Sequence, residues 1–497
     1  MNKIHTREQK RLMIQFIQIG IIGVLATMMA FVGGCTVGPD YKRPEDAVPA
    51  RWSQGPQAAE GMPQSAAEEK LASWWAVFGD PTLSSLARRA AAANLDLLLA
   101  EARIRQARAA AAVAGADLGP TLDGSGSYRR SHSTTTTGGQ TSSANTDQYQ
   151  AGFDAGWEID LFGGRRRNLE AARADLQAAA ESRRDVLVSL MAEVARNYIQ
   201  LRGYQQQIAV TRKNLRAQEH SARLVRERFE GGFVSGLDVA NAEAQTATTA
   251  ARIPLLESSA RQTIYNLGIL LGKPPAALAV ELSPAGAIPD APPDVPLGLP
   301  SDLLRRRPDI RQAEARLHAA TARIGVAVAE LFPQFTITGS IGYQSDDAGT
   351  FFDGSFWTLG PSALWHLFAS GGLRAGVDVQ KALQEQEAIT YRKTVLLALQ
   401  EVENALTASS REQEHRQALA AAVAANRRAV DLAEKLYTEG LTDFINVLQA
   451  QQALFSTEDA LVQSTAAVST DLVALYKALG GGWDVASTGK DTYPPAD

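Results

Sequence analysis

Cysteine is almost missing from this chain: Cys35 is the single one in 497 residues. That excludes an internal disulfide and any multi-cysteine metal site. Histidine is sparse too, and His5, His132, His220, His318, His366 and His415 are scattered without metal-ligand spacing. Positive charge is not in excess. The formal net charge is −5, so nucleic acid is not an expected partner. Residues 1–34 carry +3 (Lys3, Arg7, Lys10 and Arg11 against Glu8), which leaves −8 from Cys35 onward. A phosphate-binding loop is lacking as well. The Gly268–Pro274 stretch, GILLGKP, has its glycines too close together and proline where Ser or Thr is required. No enzymatic activity and no metal or cofactor are expected. Hydrophobic content of 45% excludes a wholly disordered chain.

The position of the lone cysteine is informative. A basic start is followed by an apolar run from about Leu12 to Val32, then Gly33, Gly34 and Cys35. This reads as a signal peptide over 1–34. Small residues before a single cysteine fit a bacterial lipoprotein site, so Cys35 is expected to carry a diacylglycerol and an N-acyl chain. Such a lipid tethers a protein to a membrane without making it span. Residues 35–80 are rich in Pro, Ala, Gln and Glu and read as an extended tether.

Beyond it, the sequence repeats itself. Trp157 recurs as Trp365, Gly163-Gly164 as Gly371-Gly372, Gly232 as Gly440, Val239 as Val447 and Leu271-Gly272 as Leu479-Gly480, all 208 residues apart. Earlier, Glu101-Ala102-Arg103 recurs as Glu314-Ala315-Arg316 and Pro120 as Pro333, at a spacing of 213. A unit this long is a duplicated half-molecule rather than a short solenoid repeat. The halves are 81–272 and 301–480, joined by a proline-rich crossover over 273–300 and followed by a tail over 481–497.

Each half opens with a helical stretch, Leu83 to about Leu118 in the first, and continues into a strand pair. From Asp147 to Asp160 the odd positions are Tyr149, Ala151, Phe153, Ala155, Trp157 and Ile159, while the even ones are polar or glycine. Alternation over that length matches a membrane-barrel strand with a polar lumen face. Its partner is expected over Thr121–Arg129, with Ser131–Thr146 as a mobile external loop and 121–160 as the whole hairpin. The second hairpin, 334–368, alternates over Thr336–Tyr343 and again from Trp357 to Leu367, across a loop at Asp346–Ser355.

After each hairpin comes a long helical segment, Arg165–Phe229 and Leu373–Tyr437, ending at Gly231-Gly232 and Gly440. Such a helix extends on the order of 100 Å. The chain then turns back, giving helical hairpins over 165–271 and 373–479.

Four membrane strands do not close a barrel, and an open edge in lipid leaves backbone groups unsatisfied at several kcal/mol each. Two copies would give eight strands with a filled interior; three would give twelve and a pore. The polar inward face favours three. The fold expected is α+β, internally duplicated, with four strands per protomer of a 12-stranded trimeric barrel continued by a long helical tube.

Several words of sequence carry a resemblance. They are CTVGPDYKRP from Cys35 to Pro44, WEIDLFGGR from Trp157 to Arg165, LRRRPDIR from Leu304 to Arg311, and YTEGLTDFINVL from Tyr437 to Leu448, with Glu314-Ala315-Arg316 and Phe332-Pro333. The chain resembles the TolC-like outer-membrane efflux proteins, specifically the OprM-type, NodT-like lipoprotein branch. The resemblance implies a homotrimer in outer-membrane lipid, its 12-stranded β-barrel continued by a long periplasmic α-helical barrel. It would act as the exit duct of a tripartite pump, for drugs or other small molecules, with a periplasmic adaptor and an inner-membrane RND transporter. It also implies that Gly232, Phe233, Gly440 and Leu441, at the helix-reversal tips, meet the adaptor. The periplasmic entrance of the family often carries inward carboxylates; the matching positions here are Asn446 and Gln449, which departs from the pattern. Asp238, Asp443 and Ile445 lie beside them, so a weaker, partly apolar gate is expected. Arg165-Arg166-Arg167 opens a helix where positive charge opposes the macrodipole. That cost suggests a use for lipid head groups or a neighbouring subunit's acids, beside the plainer reading of a solvated basic turn. The rival readings are a protein-secretion duct of the same fold and a structural coiled-coil lipoprotein.

Overall fold

The computed structural model describes residues 36–44, 48–53, 71–290 and 300–483. Cys35, the signal segment, the tail from 484 and Pro292, Pro293 and Pro296 of the crossover lie outside the described residues. The described chain divides into two compact units.

The first unit gathers residues 36–44, 104–178 and 313–391. Its sheet has four antiparallel strands in the order of the chain: β1 (Thr121–Thr137), β2 (Gln140–Ile159), β3 (Gln334–Ser345) and β4 (Ser355–Leu364). Register explains the alternation seen in the sequence. One row across the sheet runs Gly124, Phe153, Ile341, Trp357. The adjacent row, on the opposite face, runs Asp123, Asp154, Ser340, Thr358. Side chains on the polar face bond to each other, with Ser125 Oγ donating to Asp154 at 2.7 Å and Ser340 and Thr358 hydroxyls 2.6 Å apart. On the apolar face Leu122, Phe153, Trp357 and Leu359 are exposed by 58% or more, which suits lipid rather than water. Gly152 and Gly342 face one another in register, where an added Cβ would come within 2.6 Å of a carbonyl oxygen. Only glycine lets these backbones approach so closely.

Two strand expectations need correction. The stretch Ser131–Thr146 is not an irregular loop, because the β1–β2 ladder continues to the pair Thr137 and Gln140 around Gly138-Gly139. Backbone pairing carries it where no apolar alternation marks it. The loop expected over Asp346–Ser355 holds a 3₁₀ turn at Ala348–Asp353, and Ser355 already belongs to β4.

Helices flank the strands in both repeats. The first repeat has α1 (Pro81–Ala93), α2 (Leu95–Ala116), α3 (Gly164–Glu230) and α4 (Gly236–Leu270). The second has α5 (Pro308–Ala329), α6 (Gly372–Thr438) and α7 (Phe444–Ala478). The long helices match the expected spans to within one residue at either end. The stretch Leu83–Leu118 is instead broken at Asn94, whose ψ of 133° is extended and whose Oδ1 caps Asp96 and Leu97 N–H. The duplication extends to detail: Trp157 Nε1 donates to Leu118 O at 3.0 Å, and Trp365 Nε1 to Leu331 O at 3.1 Å.

The arginine triplet is also corrected. Its partners are acids of its own chain: Arg165 meets Glu158 at 2.6 Å, Arg166 meets Asp160 at 3.2 Å, and Arg167 meets Asp40 at 2.6 Å and Glu170 at 2.7 Å. Asp160 further accepts the N–H groups of Arg165 and Arg166. A carboxylate at the α3 N-terminus offsets the unfavourable charge there.

The second unit gathers 48–53, 71–103, 179–290, 300–312 and 392–483 of the described residues. The tether expectation fails here as well. Trp74, fully buried, stacks on Tyr476 with ring centroids 5.3 Å apart, and Ser53 N–H donates to Glu403 at 2.8 Å. The described part of the crossover is packed, with Leu278 and Leu282 buried and Arg202 Nη1 donating to Pro284 O at 2.8 Å. Arg307, of the second arginine run, is held by Asp309, Glu401 and the carbonyl of Ala478.

Candidate functional site

The two helix reversals lie in the second unit and are built alike. Helix α3 ends with Gly232 at φ +78°, its N–H donating to Phe229 O at 2.9 Å, while Phe233 N–H donates to Arg228 O at 2.9 Å. Helix α6 ends with Gly440 at φ +76°, with Gly440 N–H on Tyr437 O at 3.1 Å and Leu441 N–H on Leu436 O at 2.8 Å. Both are Schellman endings, which satisfy the last carbonyls only if the glycine position is left-handed. Each glycine is followed by an apolar side chain held outward: Phe233 is 78% exposed and Leu441 69%. Leu237 and Ile445 are exposed beside them. Exposed apolar groups are thus collected on the surface of both reversals.

A small core stiffens this surface from within. Val225, Ala242, Tyr437, Phe444 and Val447 are buried together, with Val234 and Val239 packed on them. Tyr437 and Phe444 rings lie 5.5 Å apart. The Arg228 guanidinium sits 4.7 Å over the Tyr437 ring, and its Nη1 donates to Tyr437 O. Burial pushes the Tyr437 phenol up, outweighing the downward pull of Arg228. This arrangement ties the reversal of one repeat to that of the other.

The gate candidates divide into two kinds. Asp238 closes a capping box: its Oδ2 accepts from Ser235 N–H at 3.0 Å while its own N–H donates to Ser235 Oγ. Its carboxylate is therefore engaged in holding the α4 start. Asp443, Ile445, Asn446 and Gln449 are all exposed, the last three on the side of α7 away from buried Phe444, Val447 and Gln451. Asp443 occupies the N-cap position without a side-chain cap bond, and Asn446 Nδ2 donates to Thr442 Oγ1 at 2.8 Å. The structure thus brings three candidates onto one helix face, leaves Asp443 at that helix's N-cap and gives Asp238 a structural task.

Sequence reasoning missed what lies deeper. Thr211, Asn214, Gln218 and Ser221 of α3 are all buried, at alternating spacings of three and four. That is the seam of a helix packing, filled here with polar groups. On the facing side Glu458, 4% exposed, accepts from Lys213, Asn214 and Arg427. Burial alone would push its carboxyl up, but the bonds from Arg427, Asn214 and Lys213 hold it below the usual range. Gln451 bonds both Ser221 and Glu434 at 2.9 Å. The 3–4 spacing of polar residues was the available signal.

Comparison with known proteins agrees with this architecture. The sequence profile described as outer membrane efflux protein matches residues 86–273 and 299–481, one match in each repeat. The pyoverdine export outer membrane protein OpmQ of Pseudomonas aeruginosa is 37% identical over 423 residues, 82% of this chain and 87% of its own. The probable efflux pump outer membrane protein TtgC of Pseudomonas putida is 36% identical over 467 residues, 92% of this chain and 95% of its own. Among solved structures, the outer-membrane channel OprN superposes with a TM-score of 0.83 at 35% identity, covering 90% of this chain and all of that one. The chain belongs to the outer membrane efflux protein family, and it is an outer-membrane efflux channel.

Proposed function

We propose that three copies close a 12-stranded barrel and that the assembly is the passive exit duct of a tripartite pump, carrying small molecules from the periplasm outward. The observation that supports this best is the open sheet: β1 and β4 are edge strands, and both carry the apolar face expected of lipid-facing strands. Edges of that kind are tolerated in lipid only when another copy pairs with them. A lumen of Asp, Ser, Thr and Gly favours a wet pore over a filled barrel.

In this reading Gly232, Phe233, Gly440 and Leu441 form the adaptor-contacting crown, and an inner-membrane RND transporter supplies the energy. The chain itself catalyses nothing. Cys35 carries the lipid anchor. Asp443, Ile445, Asn446 and Gln449 line the narrow entrance, while Asp238 acts through the capping box. The test is a deletion strain. Increased susceptibility to chemically diverse small compounds, restored by the intact gene and not by Leu441→Asp, is the expected result. Unchanged susceptibility, with loss of a secreted protein instead, would favour protein export. The gate assignment is read by single-channel conductance, where Ile445→Ala should raise the conductance of the reconstituted protein.

A further inference from the structure

We propose that Thr36–Arg43 is a clasp: it docks in the groove between α3 and α5, joins the two repeats beneath the sheet, and so fixes where the lipid anchor leaves the protein. The anchoring half rests on the reading that Cys35 is lipidated; the clasp itself does not.

Six of the eight residues, Thr36, Val37, Gly38, Asp40, Tyr41 and Arg43, make contacts with the groove. Thr36 lies against Gly163, where an added Cβ would approach Thr36 Cγ2 to 2.7 Å. Val37 N–H donates to Phe162 O at 3.0 Å, and Val37 O accepts from Arg167 Nε at 3.2 Å. Gly38 has φ +89° and faces Gly325 in the interior of α5; a Cβ on Gly38 would stand 2.4 Å from Gly325 Cα. Two glycines thus meet backbone to backbone, one on the segment and one on the helix. Asp40 pairs with Arg167, whose side chain is only 6% exposed, at 2.6 Å. The Tyr41 ring stacks on His318 at 4.5 Å and 17°. His318 Nε2 in turn lies 2.9 Å from Glu170 of α3. Tyr41 Oη and Arg43 both reach Glu314, at 3.4 and 3.1 Å.

The segment's contacts come from both repeats: Gly163 and Arg167 from the first, with Glu170 reached through His318, and Glu314, His318 and Gly325 from the second. A passive linker has no use for a left-handed glycine fitted to a helical glycine, nor for a buried arginine. Thr36 rests on Gly163, a few residues past the end of β2, so a lipid on the residue before it would be tethered near that end of the sheet. An acyl chain so tethered would reach lipid at the foot of β2.

Limited trypsinolysis of the full-length protein purified in detergent tests this at the Lys42–Arg43 bond. Lys42 is exposed, but cutting beside it requires the segment to come away locally. The intact protein should be protected there. Gly38→Val and Tyr41→Ala, which change only the segment, and Arg167→Met, which changes the groove, should each accelerate that cut at least about tenfold. Cys35→Ser should leave it slow. Cleavage of the intact protein as fast as of the boiled chain would overturn the proposal, as would variants cut no faster than it. Release by Cys35→Ser alone would also overturn it, since the lipid in the detergent micelle rather than the groove would then hold the segment. The mass of the N-terminal peptide reports acylation separately: an unacylated peptide with a protected Lys42 supports the clasp and refutes the anchor.

Discussion

The two helix reversals occupy matching places in the duplicated sequence yet bury different things. Tyr437 of the second repeat is 4% exposed, whereas Phe229, 208 residues earlier, is 47% exposed. Phe444 fills the small core where the first repeat has Gly236. The start of α4 is fastened by Ser235 and Asp238, while Asp443, the N-cap of α7, makes no side-chain cap bond. The second repeat therefore supplies the packing and the first supplies the fastening. Duplication gave one backbone twice, and the halves have divided the labour of holding it.

The contrast can be broken most severely at its aromatic centre. Phe444→Ala should cost about 3–5 kcal/mol, as for other buried aromatics, while Phe229→Ala at the exposed counterpart of Tyr437 should cost under about 1 kcal/mol. Denaturant or thermal unfolding of the purified protein measures both; equal costs would show that the burial difference carries no weight. Next in size is the fastening. Ser235→Ala should cost about 1 kcal/mol, and Asp443→Ala only a few tenths, because just one of them caps through its side chain. Hydrogen exchange of the first-turn amides of α4 and α7 reads the difference directly.

The smallest effect concerns acidity. Burial, reinforced by Glu412, pushes the Asp471 carboxyl up to about 6. Its counterpart in the first repeat is Thr263, satisfied by Ser259 O at 2.9 Å. A raised carboxyl means the folded state keeps a proton that the unfolded chain has lost between about pH 4 and pH 6. Stability from this group is therefore complete below that window and falls as pH rises through it. Asp471→Thr should flatten the dependence and raise stability at pH 7.5 by up to about 1 kcal/mol after allowance for solvent screening. An unfolding midpoint measured at pH 4 and pH 7.5 for both forms checks the sign.

What the sequence announced and what it concealed follow physical lines. The long helices, their glycine endings and the alternation of β2 are local patterns, and their limits were legible within a residue or so. The Ser/Thr ladder beyond Arg129 was not, since backbone pairing leaves no hydrophobic mark outside lipid. The segment after Cys35 looks like a linker because all its partners are more than a hundred residues away. Arg165–Arg167 suggested external partners only because Glu158, Asp160 and Asp40 had not yet been folded against them. The tip glycines, Phe233 and Leu441 could be named in advance. Glu458 could not, because its cations come from other helices.

The paired indoles of Trp157 and Trp365 have a wider consequence. Each donates its proton to a carbonyl just past the end of a preceding helix, where a peptide oxygen has run out of amides. In an aqueous protein a passing water would serve. At the rim of a bilayer, where water thins toward the hydrocarbon, each repeat brings its own donor to the joint between helix and strand. The chain can change its winding at the boundary of oil and brine without leaving a thirsty oxygen behind.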